Sequence, residues 1–318
     1  MKTQTPSKSI APFDILVIGR SCLDHIVVID HLPGEDSKIP LLMRVREGGG
    51  QGSTAACCLA RLGAKVLYWG KVGNDAEGAF CLRRLLEFQV DISHVEVVEG
   101  GKTPEAFIFV TRDTRTRTII YETSSLPPFS ASYLPTLLAQ PPKVILLDPE
   151  TTYLMTQIKR YLKGQTSIVY DAERWNPHIE EVMAEADYFI PSHDFLLSGE
   201  LKMEGLTLPE RIRLLSPRVG GHLIVTCGKE GAYYVEKGEL FHVPAPDVEV
   251  KDTTGAGDNF HAAFCFALTR HFPLPDAVRF SVSVASLSCR EYGGRAGLPT
   301  LLETFSLMER VKVKKCPL

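Results

Sequence analysis

The residues best suited to chemistry are gathered in one short segment, Asp252, Thr253, Thr254, Gly255, Ala256, Gly257 and Asp258. Phe260, Ala263, Phe264, Ala267 and Leu268 follow at helical spacing on one face, so a glycine-rich turn runs straight into a buried helix. Glycines let the backbone come close to an anion, and the free N–H groups of a helix's first turn point at it from the positive end of the dipole. Gly255, Ala256 and Gly257 therefore form a candidate anion hole for phosphate oxygens. A carboxylate beside a triphosphate repels it, unless that carboxylate is needed to accept the proton of an attacking hydroxyl. Asp258 fits that role, because phosphoryl transfer asks its base chiefly for orientation. Taken alone, the segment is equally compatible with Thr253, Thr254 or Asp258 serving as a helix N-cap.

Such a turn needs a rigid frame. Residues 14–19 form a continuous apolar run closed by glycine, as in a strand buried on both faces of a parallel sheet. Residues 66–70, 144–148, 167–171, 188–191 and 222–226 read the same way and are separated by helical periods. The chain is thus α/β with a mostly parallel sheet. Two regions, 26–46 and 105–122, break the alternation with β-branched and polar residues in turn, and predict the antiparallel strands of a small lid sheet. A sheet standing over a cleft has a second face to cover, which a second subunit would do. A second glycine cluster, Gly48, Gly49, Gly50 and Gly52 with Ser53 and Thr54, leads into another helical run.

Composition narrows the function classes. The chain has 318 residues, 44% hydrophobic, and a net charge of −3. Its Lys and Arg are scattered, except for Lys312, Lys314 and Lys315, so there is no basic field for a nucleic acid. No apolar run approaches the roughly 20 residues of a membrane helix, and the first ten residues are polar. These features predict a cytoplasmic protein that meets neither membrane nor nucleic acid. Eight cysteines without a C-x-x-C pair predict reduced, buried thiols.

The glycine cluster at 48–54 and the turn at 252–258 resemble, in order and about 200 residues apart, the two signatures of the ribokinase (PfkB) family of carbohydrate kinases. The resemblance extends to Gly70, Gly73, Asp75 and Gly78, to Thr226, Gly228 and Gly231, and to Gly293, Gly294, Arg295 and Gly297. It implies a single kinase domain over residues 1–318, a three-layer α/β sandwich with a β-sheet lid, and transfer of the ATP γ-phosphate to a sugar hydroxyl. Family roles then fall on Asp258 as base, on Gly255, Ala256 and Gly257 as anion hole, and on Asp24, Gly49, Gly50 and Thr54 as sugar contacts. Thr226, Gly228, Gly231 and Ser192 would contact the nucleotide, with residues 282–293 walling the adenine. The uncovered lid face predicts a homodimer joined through the lid; the resemblance also implies Mg²⁺, and in some members a potassium ion at the loop matched by Asp252 and Thr254, where capping of the turn is the alternative.

The chain departs from the pattern in two places. Thr54 stands where an asparagine is usual, and Ser192, His193 and Asp194 stand where many members carry an Asn-x-x-Glu motif. Mg²⁺ would then ride mainly on ATP and water. Local resemblances to ketohexokinase and sulfofructose kinase favour a ketose, although Glu150 and Tyr121 occupy the places expected to hold a sulfonate; Lys38 in the lid could still meet an anion or be an edge lysine. A neutral ketohexose or related polyol is the expected acceptor. A nucleoside kinase is the alternative, depending on whether Phe107 and Tyr121 face the cleft. A catalytically inactive sugar sensor remains a further alternative, against which the intact Gly255 to Asp258 segment argues. A dinucleotide-dependent oxidoreductase fails on spacing, since Phe260 stands where a third glycine or alanine is needed. No Walker sequence is present.

Overall fold

The computed structural model describes residues 12–317 apart from 163 and 165, so the polar start at residues 1–11 lies outside the described residues. In chain order the elements are β1 (Ile15–Ile18), β2 (Cys22–Ile29), β3 (Met43–Gly49), α1 (Gln51–Arg61), β4 (Val66–Trp69), β5 (Lys71–Gly73), α2 (Ala76–Glu87), β6 (Glu96–Val98), β7 (Glu105–Thr111), β8 (Thr116–Tyr121), α3 (Leu134–Leu137) and β9 (Val144–Leu147). They continue with α4 (Met155–Tyr161), β10 (Ser167–Ala172), α5 (Ile179–Glu185), β11 (Tyr188–Pro191), α6 (His193–Leu196), α7 (Leu208–Leu215), β12 (His222–Thr226), β13 (Ala232–Glu236), β14 (Glu239–Val243), α8 (Ala256–Thr269), α9 (Leu274–Ser288), α10 (Leu301–Met308) and β15 (Lys314–Lys315).

The main sheet has nine strands in the order β15-β14-β13-β12-β11-β10-β9-β1-β4. From β4 to β12 every neighbour is parallel, and β13 to β15 add an antiparallel edge. Its central strands β1 and β9 are apolar at every position because both faces are covered. Along β1, Ile15 and Val17 enter a core shared with α1, α8 and α9, while Leu16 and Ile18 enter a second core shared with α4, α5 and α7. This is the three-layer arrangement the alternating sequence predicts, and the strands read from sequence match to within two residues at either end. The eight cysteines are free thiols, most of them buried. Among the described residues, no helix is long and apolar enough to cross a membrane.

A separate four-stranded sheet, in the order β3-β2-β7-β8, stands over the carboxyl ends of the main strands. The sequence places it correctly but misreads two details. β2 pairs with β7 in parallel, not antiparallel, because the segment between them passes through α1 and α2 and returns in the same direction. The predicted strand region at 26–46 is interrupted by an exposed loop between β2 and β3, and Lys38 lies in that loop rather than on an edge strand. One face of the sheet buries Ile26, Val28, Ala106, Ile108 and Val110 against Tyr292. Strand alternation turns Phe107 to the other face, where it stacks on His25 at 4.8 Å beside the exposed Ile120. Tyr121, opposite Ala106, is turned to the cleft.

Candidate active site

Helix α8 starts at Gly255, whose φ of 71° places it in the left-handed region, and no side chain caps it. The N-cap reading of Thr253, Thr254 and Asp258 is therefore set aside: Asp258 sits inside the first turn, half-buried; the Ala256 N–H turns back to the Thr253 carbonyl at 3.2 Å, while the N–H groups of Gly255 and Gly257 have no partner among the described residues. Helix α1 also starts from a glycine, Gly50 at φ 94°, again without a side-chain cap. The two helices pack together, so their N-termini, about 200 residues apart in sequence, converge on one cleft. At the junction a Cβ on Gly255 would stand 2.7 Å from the Gly294 Cα and 3.2 Å from Thr54 Cγ2. Thr54 is 3% exposed, and its methyl forms part of the floor of the anion turn.

Asp252 closes that turn from within. Its Oδ1 accepts from the Thr254 N–H at 2.8 Å and hydroxyl at 2.7 Å, and its Oδ2 accepts from the Gly293 N–H at 2.8 Å. Asp252 thus ties the turn to the loop at Gly293. Among the described residues, no group of three or more His, Cys, Asp or Glu gathers as a metal site.

Asp24, on β2, is 8% exposed and accepts from the Cys22 thiol at 3.2 Å. A Cβ on Gly49 would fall 2.1 Å from its carboxylate, so this glycine makes room for the aspartate. Burial pushes the Asp24 pKa up to about 6, with the Cys22 thiol and the Arg295 charge pulling it down and Glu47 and Asp252 pushing it up.

Behind Asp258 lies a group that sequence reasoning did not single out. His261, one turn along α8, is 3% exposed; its Nδ1 lies 2.7 Å from the Gly257 carbonyl, and its Nε2 lies 3.1 Å from the Ile190 carbonyl and 3.5 Å from Asp171 Oδ1. Burial lowers the His261 pKa, while the two carbonyls and Asp258 oppose that effect. Burial also raises Asp171 to about 8 and Asp258 to about 7, the latter raised further by Asp171 and lowered by His261 and Arg117. A base works deprotonated, so its activity is present above its pKa and lost as pH falls through it. The raised Asp258 pKa predicts that kcat declines already as pH falls through neutrality, not near pH ~4 as for an ordinary carboxylate. A kcat–pH profile flat down to about pH 5 would count against Asp258 as the base in this environment.

The cleft wall is also assembled from afar. The Arg20 and Arg174 guanidinium carbons lie 5.4 Å and 5.3 Å from the Tyr121 ring centre, and Arg174 donates to the Tyr121 hydroxyl. Arg20 donates to the Glu122 carbonyl at 2.6 Å and pairs with Glu150 at 3.3 Å, while its backbone N–H donates to buried Asp148 at 2.6 Å. Between β1 and β8, Arg20, Tyr121 and Glu150, with Ser21, Lys71 and Tyr153, line a cavity of about 420 Å³. A larger one of about 890 Å³ lies at the far end of α1, by Arg61, Lys65 and Phe88, and touches neither Asp24 nor Asp258.

Ser192 and Thr226 form a parallel bridge at the ends of β11 and β12, the edge at which open α/β sheets bind ligands. The Ser192 hydroxyl accepts from the Phe195 N–H at 3.2 Å and so caps α6, with Asp194 in its first turn. Gly228 and Gly231 shape the turn after β12; a Cβ on Gly231 would stand 2.1 Å from the Val243 carbonyl oxygen.

Residues 13–301 match the family model described as pfkB family carbohydrate kinase. Among curated proteins, the chain is 29% identical to the ribokinase of Bacillus subtilis (strain 168), over 93% of this chain and 99% of that one. It is 27% identical to the ketohexokinase of Mus musculus, over 86% and 95%. The fold superimposes on that of Arabidopsis thaliana ribokinase, solved with ribose and ATP, with a TM-score of 0.79 at 23% identity, over 94% of this chain and 99% of that one. A putative ribokinase from Agrobacterium tumefaciens gives a TM-score of 0.82 at 24% identity, over 94% and 98%.

Proposed function

This chain belongs to the pfkB family of carbohydrate kinases and is an ATP-dependent sugar kinase, and from that premise we propose that its acceptor is a neutral ketohexose or a related polyol. The observation that carries the reading is the convergence of two uncapped helix N-termini, with Asp24 on one side and Asp258 on the other. In this reading Asp24 accepts the protons of two sugar hydroxyls, beside the close-approaching backbone of Gly49 and Gly50. Asp258 orients the attacking hydroxyl and takes its proton, while the N–H groups of Gly255, Ala256 and Gly257 meet the charge that develops on the transferring phosphoryl. Thr226, Gly228, Gly231 and Ser192 border the nucleotide.

Mg²⁺ carried on the triphosphate would neutralise part of its charge. A potassium ion by Asp252 and Thr254 would stiffen the anion turn. Phe107 and Ile120 are exposed on the face of the lid turned away from the cleft, which supports a homodimer through the lid.

The choice of a neutral sugar follows from the cleft. Arg20 is engaged by Glu150 and the Glu122 carbonyl, and Arg174 by Tyr121 and Glu173, so neither guanidinium is free for an anionic group. A nucleoside is disfavoured because the Tyr121 ring is already packed by both guanidinium groups, one of which a stacking base would displace. The test is ADP release with ATP, Mg²⁺ and K⁺ against ketohexoses, aldoses, ribose, sugar phosphates, sulfofructose and nucleosides, with Asp258→Asn as control. A ketohexose or polyol is expected to give the highest kcat/KM. Turnover confined to nucleosides or sugar phosphates would refute the assignment and leave the fold and base untouched.

A further inference from the structure

Arg295 is a buried charge that the reaction as described leaves without a task. It is 2% exposed, and its Nη2 donates at 2.8 Å to the Ser53 hydroxyl, which in turn donates to the Gly49 carbonyl. Its Nε and Nη1 have no partner among the described residues. Nη1 lies beneath the glycine run, where a Cβ on Gly48 would stand 2.6 Å from it. Successive strand residues face opposite ways, so the guanidinium takes the side-chain space of Gly48 and the Asp24 carboxylate takes that of Gly49. Only a backbone without side chains separates the two charges.

Arginine does not deprotonate in proteins, so this charge must be answered by its surroundings. The ionisable groups around it are Asp24 on β2, Glu47 on β3, Cys57 on α1 and Cys81 on α2. Burial pushes both thiols up, which leaves them neutral. Glu47 is already held by Arg84, whose Nε and Nη2 each reach a different carboxylate oxygen at 2.7 Å, and by the Gly48 N–H at 2.8 Å. Asp24 has no such ion pair. It faces the Cys22 thiol on its own strand, the negative charges of Glu47 and of Asp252 before α8, and the Arg295 cation.

We propose that Arg295 is a positioning residue for the acceptor: through Ser53 it fixes the glycine run, and from behind that run it keeps Asp24 ionised, and so able to accept two hydroxyl protons, when the site is shut off from water. The inference rests on the reading of Asp24 as the sugar carboxylate. Burial pushes Asp24 up even with Arg295 in place, and removing the guanidinium removes a charge that opposes Glu47 and Asp252.

The experiment compares the full chain with Arg295→Gln, Arg295→Lys, Ser53→Ala and Asp24→Asn, measuring initial rates against pH with the acceptor that the substrate panel identifies. In Arg295→Gln the acid limb of kcat/KM for the sugar should move up by about one pH unit, equivalent to about a tenfold rise in sugar KM on that limb. The KM for ATP should hold, and Arg295→Lys should restore most of the shift. Ser53→Ala, which loosens the glycine run but keeps the charge, should raise the sugar KM and leave the limb in place. An unmoved limb in Arg295→Gln, with only a lower melting temperature and a uniform loss of rate, would reduce Arg295 to a structural role and overturn the proposal. If instead Asp24→Asn leaves the sugar KM unchanged, the reading of Asp24 itself fails. Should the glutamine variant not fold, carboxyl NMR titration of Asp24 in the unsubstituted protein decides: ionisation by neutral pH supports the proposal, and an Asp24 still protonated at about pH 8 overturns it.

Discussion

Asp258→Asn is expected to lower kcat by about 10²- to 10⁴-fold, the usual worth of a positioned general base, with the KM values for sugar and ATP little changed. The carboxamide keeps the shape of the first turn of α8 but cannot take a proton. It leaves the backbone of Gly255, Ala256 and Gly257 in place, so the site still binds and polarises the triphosphate. The substitution also removes one of the like charges near Asp171, which relieves repulsion and favours retention of the nucleotide. Single-turnover rates together with equilibrium binding of both substrates test this. A variant that retains kcat would shift the base role elsewhere, with buried Asp171 the first residue to examine, since it lies 3.5 Å from His261 on the same side. A variant that loses binding together with kcat would make Asp258 a structural part of the turn.

Asp24→Ala is expected to raise the sugar KM by about 10²-fold or more, on the basis of roughly 1.5–3 kcal/mol for each hydrogen bond to a charged group and two hydroxyls held. The KM for ATP should stay put, because the phosphate side is built by α8 and not by β2. Gly49→Ala should reach the same end by another route. Its new methyl would lie 2.1 Å from the Asp24 carboxylate, and neither a strand backbone nor a buried side chain yields that much space cheaply. The two substitutions act on one contact, so they should not add: Gly49→Ala made in the Asp24→Ala background should cost far less than it does alone. Strict additivity in a double-mutant cycle on sugar KM would mean that Gly49 matters for the course of the chain and not for the room it gives Asp24.

Much of the frame was legible in the residues. The apolar runs of β1, β9, β10, β11 and β12 state their own burial on both faces, and the runs at 48–54 and 252–258 state a backbone that needs glycine before a helix. These are local properties, decided by which side chains recur at which spacing and by which φ a residue tolerates, so one segment at a time suffices to read them. The strands of the lid were legible for the same reason. Their pairing was not, because whether β2 meets β7 in parallel depends on the path taken through α1 and α2, and Lys38 proved to lie in a loop that alternation alone does not reveal.

The site divides along the same line. The sequence by itself determined the fold class, the two glycine turns, and Asp24 and Asp258 as the carboxylates beside them. Only the tertiary structure decided that the N-termini of α1 and α8 meet over Thr54, that Tyr121 faces the cleft between Arg20 and Arg174 while Phe107 faces away, and that His261 packs behind Asp258. It alone placed Arg295 under Gly48, across a bare strand from Asp24. The physical reason is that a charge acts through space: what an arginine does depends on which carboxylates the sheet order brings near it and on how much water the fold leaves between them, and neither is written in its neighbours along the chain.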